Sequence, residues 1–506
     1  MGFCGILSLS SQTLEEAFTA AGKNRKNLEA VLNYYERTGE KQKYQAAKFL
    51  IENMPIQESH SYKWVSNEGD NLNFSEFNYE DFDLALQAFN AIKDSIGIKP
   101  LLFKEKDVEV ITSKMLIKNI DHAFEAWKNN PWSKSYNFNV FCDYILPYRS
   151  LIEPLNEWRE ECGFLVQRAG RNLEDETDPV EVCTNVMNAL KGFTFRYSKS
   201  PIPAPLLGTQ QLLFRREGSC PELANLAVLA SRAIGLAVTY DFTPHYAASS
   251  NRHFWNTIID KNGEAIPFNG SSASDGSGTP NHYDTNHKRM AKVFRKTYAI
   301  QNTALASQVQ KENIPYSFLW SSNIVDVTKD YVPVGTVTCD FKEQNVTIAY
   351  LNVFNVNSWS LVDWSKKEEG VFTFKNMGRD IVYLPSYYEN RKTTYALYPI
   401  LLNKDGEQKI LKPNYSKPFN CTLSSTNIAI NKYQENNSLT IEAGEIYTLY
   451  YWDKTWQRIA TSNATIKGVQ FTEIPTNALF ALMPSAPDNF ERIFTINPET
   501  NQITWY

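Results

Sequence analysis

Cys220 stands near the start of the stretch REGSCPELANLAVLASRAIG, Arg216 to Gly235, in a setting that gives a thiol chemistry to do. Pro221 suits the opening position of a helix, where a missing N–H costs nothing, and Gly235 suits its end. Leu223, Ala227, Ala230 and Ile234 recur at helical spacing and predict a buried stripe. Cys220 then falls at the entrance, where unpaired N–H groups and the positive end of the helix dipole favour an anion. A thiol so placed is expected to drop from about 8.5 to between about 3.5 and about 7.5, giving a thiolate nucleophile at neutral pH. The competing reading is a small buried hydrophobe, the commonest role of a free cysteine.

A nucleophile needs a base. His253 lies in NRHFWNTIID, whose aromatic and β-branched content predicts a strand, and DKNG at Asp260 to Gly263 turns the chain back through EAIPFN. His245, in the proline-containing FTPHYAA, is the rival base. Asp260 would lie roughly 23 Å along the same strand from His253 and cannot orient it. Asn269 on the returning strand can, if the pairing register is even. A three-residue loop, Lys261-Asn262-Gly263 with Gly263 left-handed, gives that register, whereas a two-residue Asn-Gly turn puts the two side chains on opposite faces.

Other residues near this stretch are candidates for binding. Gln210 and Gln211 are amide donors for an oxyanion, and Arg215 and Arg216 could hold a substrate carboxylate. Each could equally be a solvated surface group. Trp255, two residues past His253, would shield the imidazole or fill a core. His282 and His287 sit in a Gly/Ser-rich context that favours solvated side chains over metal ligands. No metal and no other cofactor is called for.

The elements that must position these groups are legible in outline. From Gln12 to Met54 the pattern is helical, with Leu28, Val31, Leu32 and Tyr35 on one face, then Tyr44, Ala47 and Ile51. Further helices are predicted over Tyr79 to Ile96, over Thr112 to Lys128 with Thr112 or Ser113 as cap, and over Pro179 to Leu190. GSSASDGSGTPNHYDTN, Gly270 to Asn286, reads as a mobile loop placed like a lid. Beyond about Asp326 short alternating apolar runs predict β-sandwich modules. Trp359, Trp364, Trp452, Trp456 and Trp505 there invite glycan contact, although cross-strand aromatic pairs are ordinary sandwich content.

The expected division is a helical region over 1–110, an α+β core over 111–315, and β-sandwich modules over 316–415 and 416–506. With 42% hydrophobic and 21% charged residues, the 506-residue chain has the composition of a folded globular protein. Its net charge of -5 and lack of a basic run argue against a nucleic-acid partner. The seven cysteines, Cys4, Cys142, Cys162, Cys183, Cys220, Cys339 and Cys421, show no CxxC spacing for zinc or redox work. No apolar stretch approaches the ~18 residues that a transmembrane helix needs, and MGFCGILSLSSQ is no intact signal peptide.

GSCPELANLAVLASRAIGLAVTYDF, followed by HFWN and GEAIPFN, resembles the transglutaminase-like core, a papain-like cysteine enzyme fold with Cys, His and Asp in that order. The resemblance spans roughly Asp178 to Ala299. It implies Cys220 as nucleophile, His253 as general base and Asn269 as third member, where the family most often has Asp. The flanks FCDYILPYRS, EPLNEWRE, KVFRKTYA and FERIFTINPETNQITWY are similar to multidomain transglutaminase-like proteins of Bacteroidetes, which are usually exported to the periplasm or cell surface. The expected function is therefore cysteine-dependent acyl transfer, as hydrolysis of a peptide, protein or glycoconjugate amide. Two alternatives are an idle core in a glycan- or protein-binding protein, and transglutaminase cross-linking.

Overall fold

The computed structural model describes residues 13–196, 199–247, 252–275, 278–280, 289–341, 345–355, 358–427, 438–484 and 492–506. At its N-terminal end, helices Leu14–Ala21, Arg25–Thr38 and Lys41–Glu52 pack together, the first closed by a Thr13–Glu16 capping box. Leu28, Val31, Leu32 and Tyr35 are buried, as their spacing predicts. They meet Leu116, Ile120 and Phe124 of the helix Ser113–Asn129, whose first turn Thr112 caps by accepting from the Met115 N–H at 3.2 Å.

This region is not purely helical, which corrects the sequence expectation. Strands Glu58–Val65 and Lys99–Lys106 pair antiparallel along their whole length, with Asn71–Leu72 on the other edge. Both strands carry many polar side chains, and Lys99–Lys106 buries none of its residues, so no apolar period marked them. Trp64 nevertheless anchors a small aromatic core with Phe74 and Phe89.

The centre is a five-stranded antiparallel sheet in the order Ile324–Asp326, Phe294–Lys296, Val238–Thr243, His253–Ile259, Ala265–Phe268. One face carries Val238, Tyr240, Ile258 and Phe268, and against it lies the cysteine helix, Cys220–Ala233. Helices Trp158–Leu165 and Pro179–Ala189 cover the rest of that helix, which is buried from Glu222 to Arg232. Each fully enclosed Leu or Val here contributes about 1.5–3 kcal/mol relative to exposure. The sheet's other face carries Asp241, Trp255 and Thr257, joined by Arg295 and Tyr331 into one polar network.

Two β-rich bodies follow. In the first, strands from Val334–Cys339 to Gln408–Ile410 form an eight-stranded sheet that wraps a shared core of Val337, Leu351, Val362, Phe374 and Tyr383. In the second, Ile446–Asp453 lies between Thr455–Asn463 and Phe480–Pro484 in a five-stranded sheet, beside the pair Asn414–Leu423 and Val469–Thr476. A seam of Phe354, Trp359, Trp452 and Trp456 joins the two, with Trp359 and Trp452 ring centres 5.4 Å apart. Asn355 ties the first body to the core by donating to the Tyr246 carbonyl at 2.8 Å. Among the described residues no helix is long and apolar enough to cross a membrane.

Candidate active site

Ser219, not Cys220, is the helix cap, and Cys220 is the first helical residue with Pro221 second. Glu222 reaches back to accept from the Ser219 N–H and Oγ, both at 2.7 Å, closing a capping box. The same carboxylate accepts from the Leu207 N–H at 3.0 Å and pairs with Arg196 at 3.3 Å. The segment upstream of the helix and the helix mouth are thus held through one side chain, which fixes the direction in which Cys220 leaves the chain.

The thiol is half-buried. Burial pushes it above its ordinary value, opposed by hydrogen bonds from the Ser271 side chain and from its own backbone N–H. This direction runs against the expected low-lying thiolate: the helix entrance is present, but loss of water around the sulfur opposes ionisation.

Ser271, which the sequence did not single out, joins the candidate site. Its hydroxyl also donates to Asn269 Oδ1 at 2.7 Å, and Asn269 Nδ2 donates to Ser272 Oγ at 2.8 Å. A serine hydroxyl has one proton. It is directed either at the amide oxygen or at the sulfur, so ionisation of Cys220 would turn it from one to the other. The only available signal was an Asn-Gly-Ser-Ser run, which favours a side-chain-capped turn.

The turn chemistry worked out at the sequence level holds. Ile259 pairs with Ala265, and Asp260 N–H donates to the Glu264 carbonyl at 2.8 Å, leaving Lys261-Asn262-Gly263 as the loop with Gly263 at φ 87°. The register is therefore even. Carried one residue past the strand, it sets Asn269 opposite Trp255, on the sheet face of His253. Gly270 then crosses to the helix side, donating to Asn256 Oδ1 at 3.0 Å while Asn256 Nδ2 donates to the Ala224 carbonyl at 3.0 Å. A Cβ on Gly270 would come within 2.7 Å of the Ala227 Cβ, so only glycine fits this corner.

Gly270–Asp275 forms a 3₁₀ segment with Ser271 and Ala273 buried, which corrects the expectation of a mobile loop for this part. The remainder, His282 and His287 included, lies largely outside the described residues. His253 opens the strand beside that of Asn269, opposite Thr243, with its ring centre 5.9 Å from that of Trp255. Trp255 itself is fully buried and donates to Tyr331 OH at 3.0 Å. The rival His245 is held neutral: burial and then Arg252 pull it down from 6.5 to about 4.

Three of the four proposed binding groups are occupied elsewhere. Gln211 donates to Glu76 at 2.7 Å and Tyr62 at 2.9 Å, and buried Arg215 pairs with Glu76 at 2.6 Å. Both are structural, because a buried carboxylate requires such partners. Gln210 donates to Glu161 at 3.1 Å on the surface. Arg216 is exposed and meets no carboxylate among the described residues, in the left-handed region at φ 53°, over the Phe193 ring at 5.9 Å. Among the described residues no cluster of His, Cys, Asp or Glu could hold a metal ion.

No curated protein matches the chain. Among solved structures, the crystal structure of red sea bream transglutaminase is similar at 10% identity and a TM-score of 0.23, over 87% of this chain and 76% of that one. Residues 167–269 match the family model of the transglutaminase-like superfamily, a span that contains Cys220 and His253 and ends on Asn269. The chain thus carries a transglutaminase-like domain over residues 167–269.

Proposed function

We propose that the protein is a cysteine-dependent acyl-transfer enzyme that hydrolyses an amide of a peptide or protein. The observation that carries this reading is a thiol at the first turn of a buried, doubly tethered helix, hydrogen-bonded with Ser271 beside Asn269. Cys220 Sγ attacks the acyl carbon as His253 takes the thiol proton. The carbon–nitrogen bond then breaks and the same proton passes to the departing amine. Water, deprotonated by His253, attacks the thioester; the acid leaves and the thiol is restored. Because burial favours the protonated sulfur, base assistance accompanies attack and no preformed ion pair is required. The Cys220 N–H, at a helix start, donates to the oxyanion.

A second reading is favoured by one feature. Both ends of the Asn269 amide are engaged by Ser271 and Ser272, which suits an idle core that retains the fold and binds without turnover. An electrophilic amide probe, followed by mapping of the modified residue, separates the two. The catalytic reading expects modification at Cys220, abolished in Cys220→Ala and slowed at least about a hundredfold in His253→Ala, the usual scale of base catalysis. Equal labelling rates for His253→Ala and the parent chain would favour the idle core.

A further inference from the structure

A cleft of about 1160 Å³ opens between the helices Trp158–Leu165, Pro179–Ala189 and Thr209–Arg215, outside the candidate site. Its walls include Phe164, Arg168, Arg171, Leu213 and Arg216. Small-molecule sites usually occupy ~300–1000 Å³, so this space suits a short run of polypeptide. Phe164 is 74% exposed, the second most exposed of the large apolar rings among the described residues after Tyr316 at 87%.

The charges divide unevenly. Glu160, at the rim, is taken by Lys118 at 2.9 Å and His122 at 3.6 Å, and Glu161 by the Gln210 amide at 3.1 Å. Among the described residues the guanidiniums of Arg168, Arg171 and Arg216 meet no carboxylate. Three unpaired guanidiniums around an exposed ring, in a chain of net charge -5, form a local electropositive pocket.

We propose that this cleft binds an acidic polypeptide segment that also carries an aromatic side chain. Carboxylates match the forked donors of arginine, and an aromatic ring packs on Phe164 and Leu213. Arg216 precedes Cys220 by four residues, a chain separation of at most about 14 Å, so a bound segment can extend toward the sulfur. Nucleic acid fits less well, because three cations on an apolar wall do not track a phosphate backbone. Binding here does not depend on turnover.

The test uses the full chain and a fluorescein-labelled Glu-Glu-Phe-Glu-Glu peptide, read by anisotropy at about 50 mM salt, where exposed charges are little screened. Saturable binding is expected, weakened about tenfold or more in Arg168→Glu/Arg171→Glu and in Phe164→Ser, with circular dichroism unchanged. A Lys-Lys-Phe-Lys-Lys peptide should not bind, and Cys220→Ala should bind as the parent does, which separates this site from the catalytic reading. The proposal is overturned if the acidic peptide does not saturate, if charge reversal leaves its affinity intact, or if a single-stranded oligonucleotide of equal length binds more tightly.

Discussion

The two faces of the central sheet solve opposite problems. Behind it, Arg295 forks onto Asp241 at 2.9 and 2.7 Å, and Tyr331 OH donates to the same carboxylate at 2.5 Å. That phenol oxygen accepts from Trp255 Nε1 and lies 3.0 Å from Thr257 Oγ1, so each group has an assigned place. At the helix mouth, by contrast, one hydroxyl proton of Ser271 serves two acceptors. A satisfied network holds the histidine strand in register, while the shared proton leaves the sulfur's surroundings free to respond to charge. Rigidity and responsiveness are placed one strand thickness apart.

Breaking the rear network should have the largest effect. Asp241→Ala would leave buried Arg295 without its carboxylate and lower stability by about 3–5 kcal/mol, measurable by urea denaturation. Tyr331→Phe removes one hydroxyl from three partners and should cost about 1–3 kcal/mol. If either changed stability by less than the helix-mouth variant below, the contrast between the faces would be wrong.

His245 supplies a pH dependence. Its folded value is about 4, against 6.5 for the free side chain, so between those limits the unfolded chain binds the extra proton. Stability from this group is present above pH 6.5 and lost as pH falls toward 4. The melting temperature of His245→Asn should therefore fall less than that of the parent between pH 7 and pH 4.5; parallel curves would refute it.

Ser271→Ala should hardly alter stability, by under about 1 kcal/mol, yet should raise the Cys220 thiol further. Iodoacetamide labelling of Cys220 should rise with pH beyond the ordinary thiol range in the parent and be slower still in the variant at pH 8. A labelling rate that levels off at neutral pH would show a low-lying thiolate and restore the dipole-dominated view.

Local chemistry was readable from sequence wherever it depended on neighbours in the chain. The helix after Cys220, the strand of His253 and the loop with left-handed Gly263 all follow from spacing and turn preference. The partners of Gln211 and Arg215 did not, because Glu76 lies 135 and 139 residues upstream in a region whose strands lack an apolar period. The sign of the thiol shift was missed for a related reason. Position on a helix is local, but exclusion of water is decided by what else packs there, and Ser271 arrives from the 3₁₀ segment some fifty residues further along the chain.

The aromatic seam has a mechanical consequence. Trp452 lies 5.4 Å from Trp359 and Trp456 lies 5.7 Å from Phe354, so sliding the two β bodies apart would have to separate both ring pairs together. A pull on the far body is then transmitted to the near one without slack. It reaches the segment after Thr243 through the Asn355 tether on Tyr246, which makes the C-terminal part a lever whose fulcrum adjoins the histidine strand.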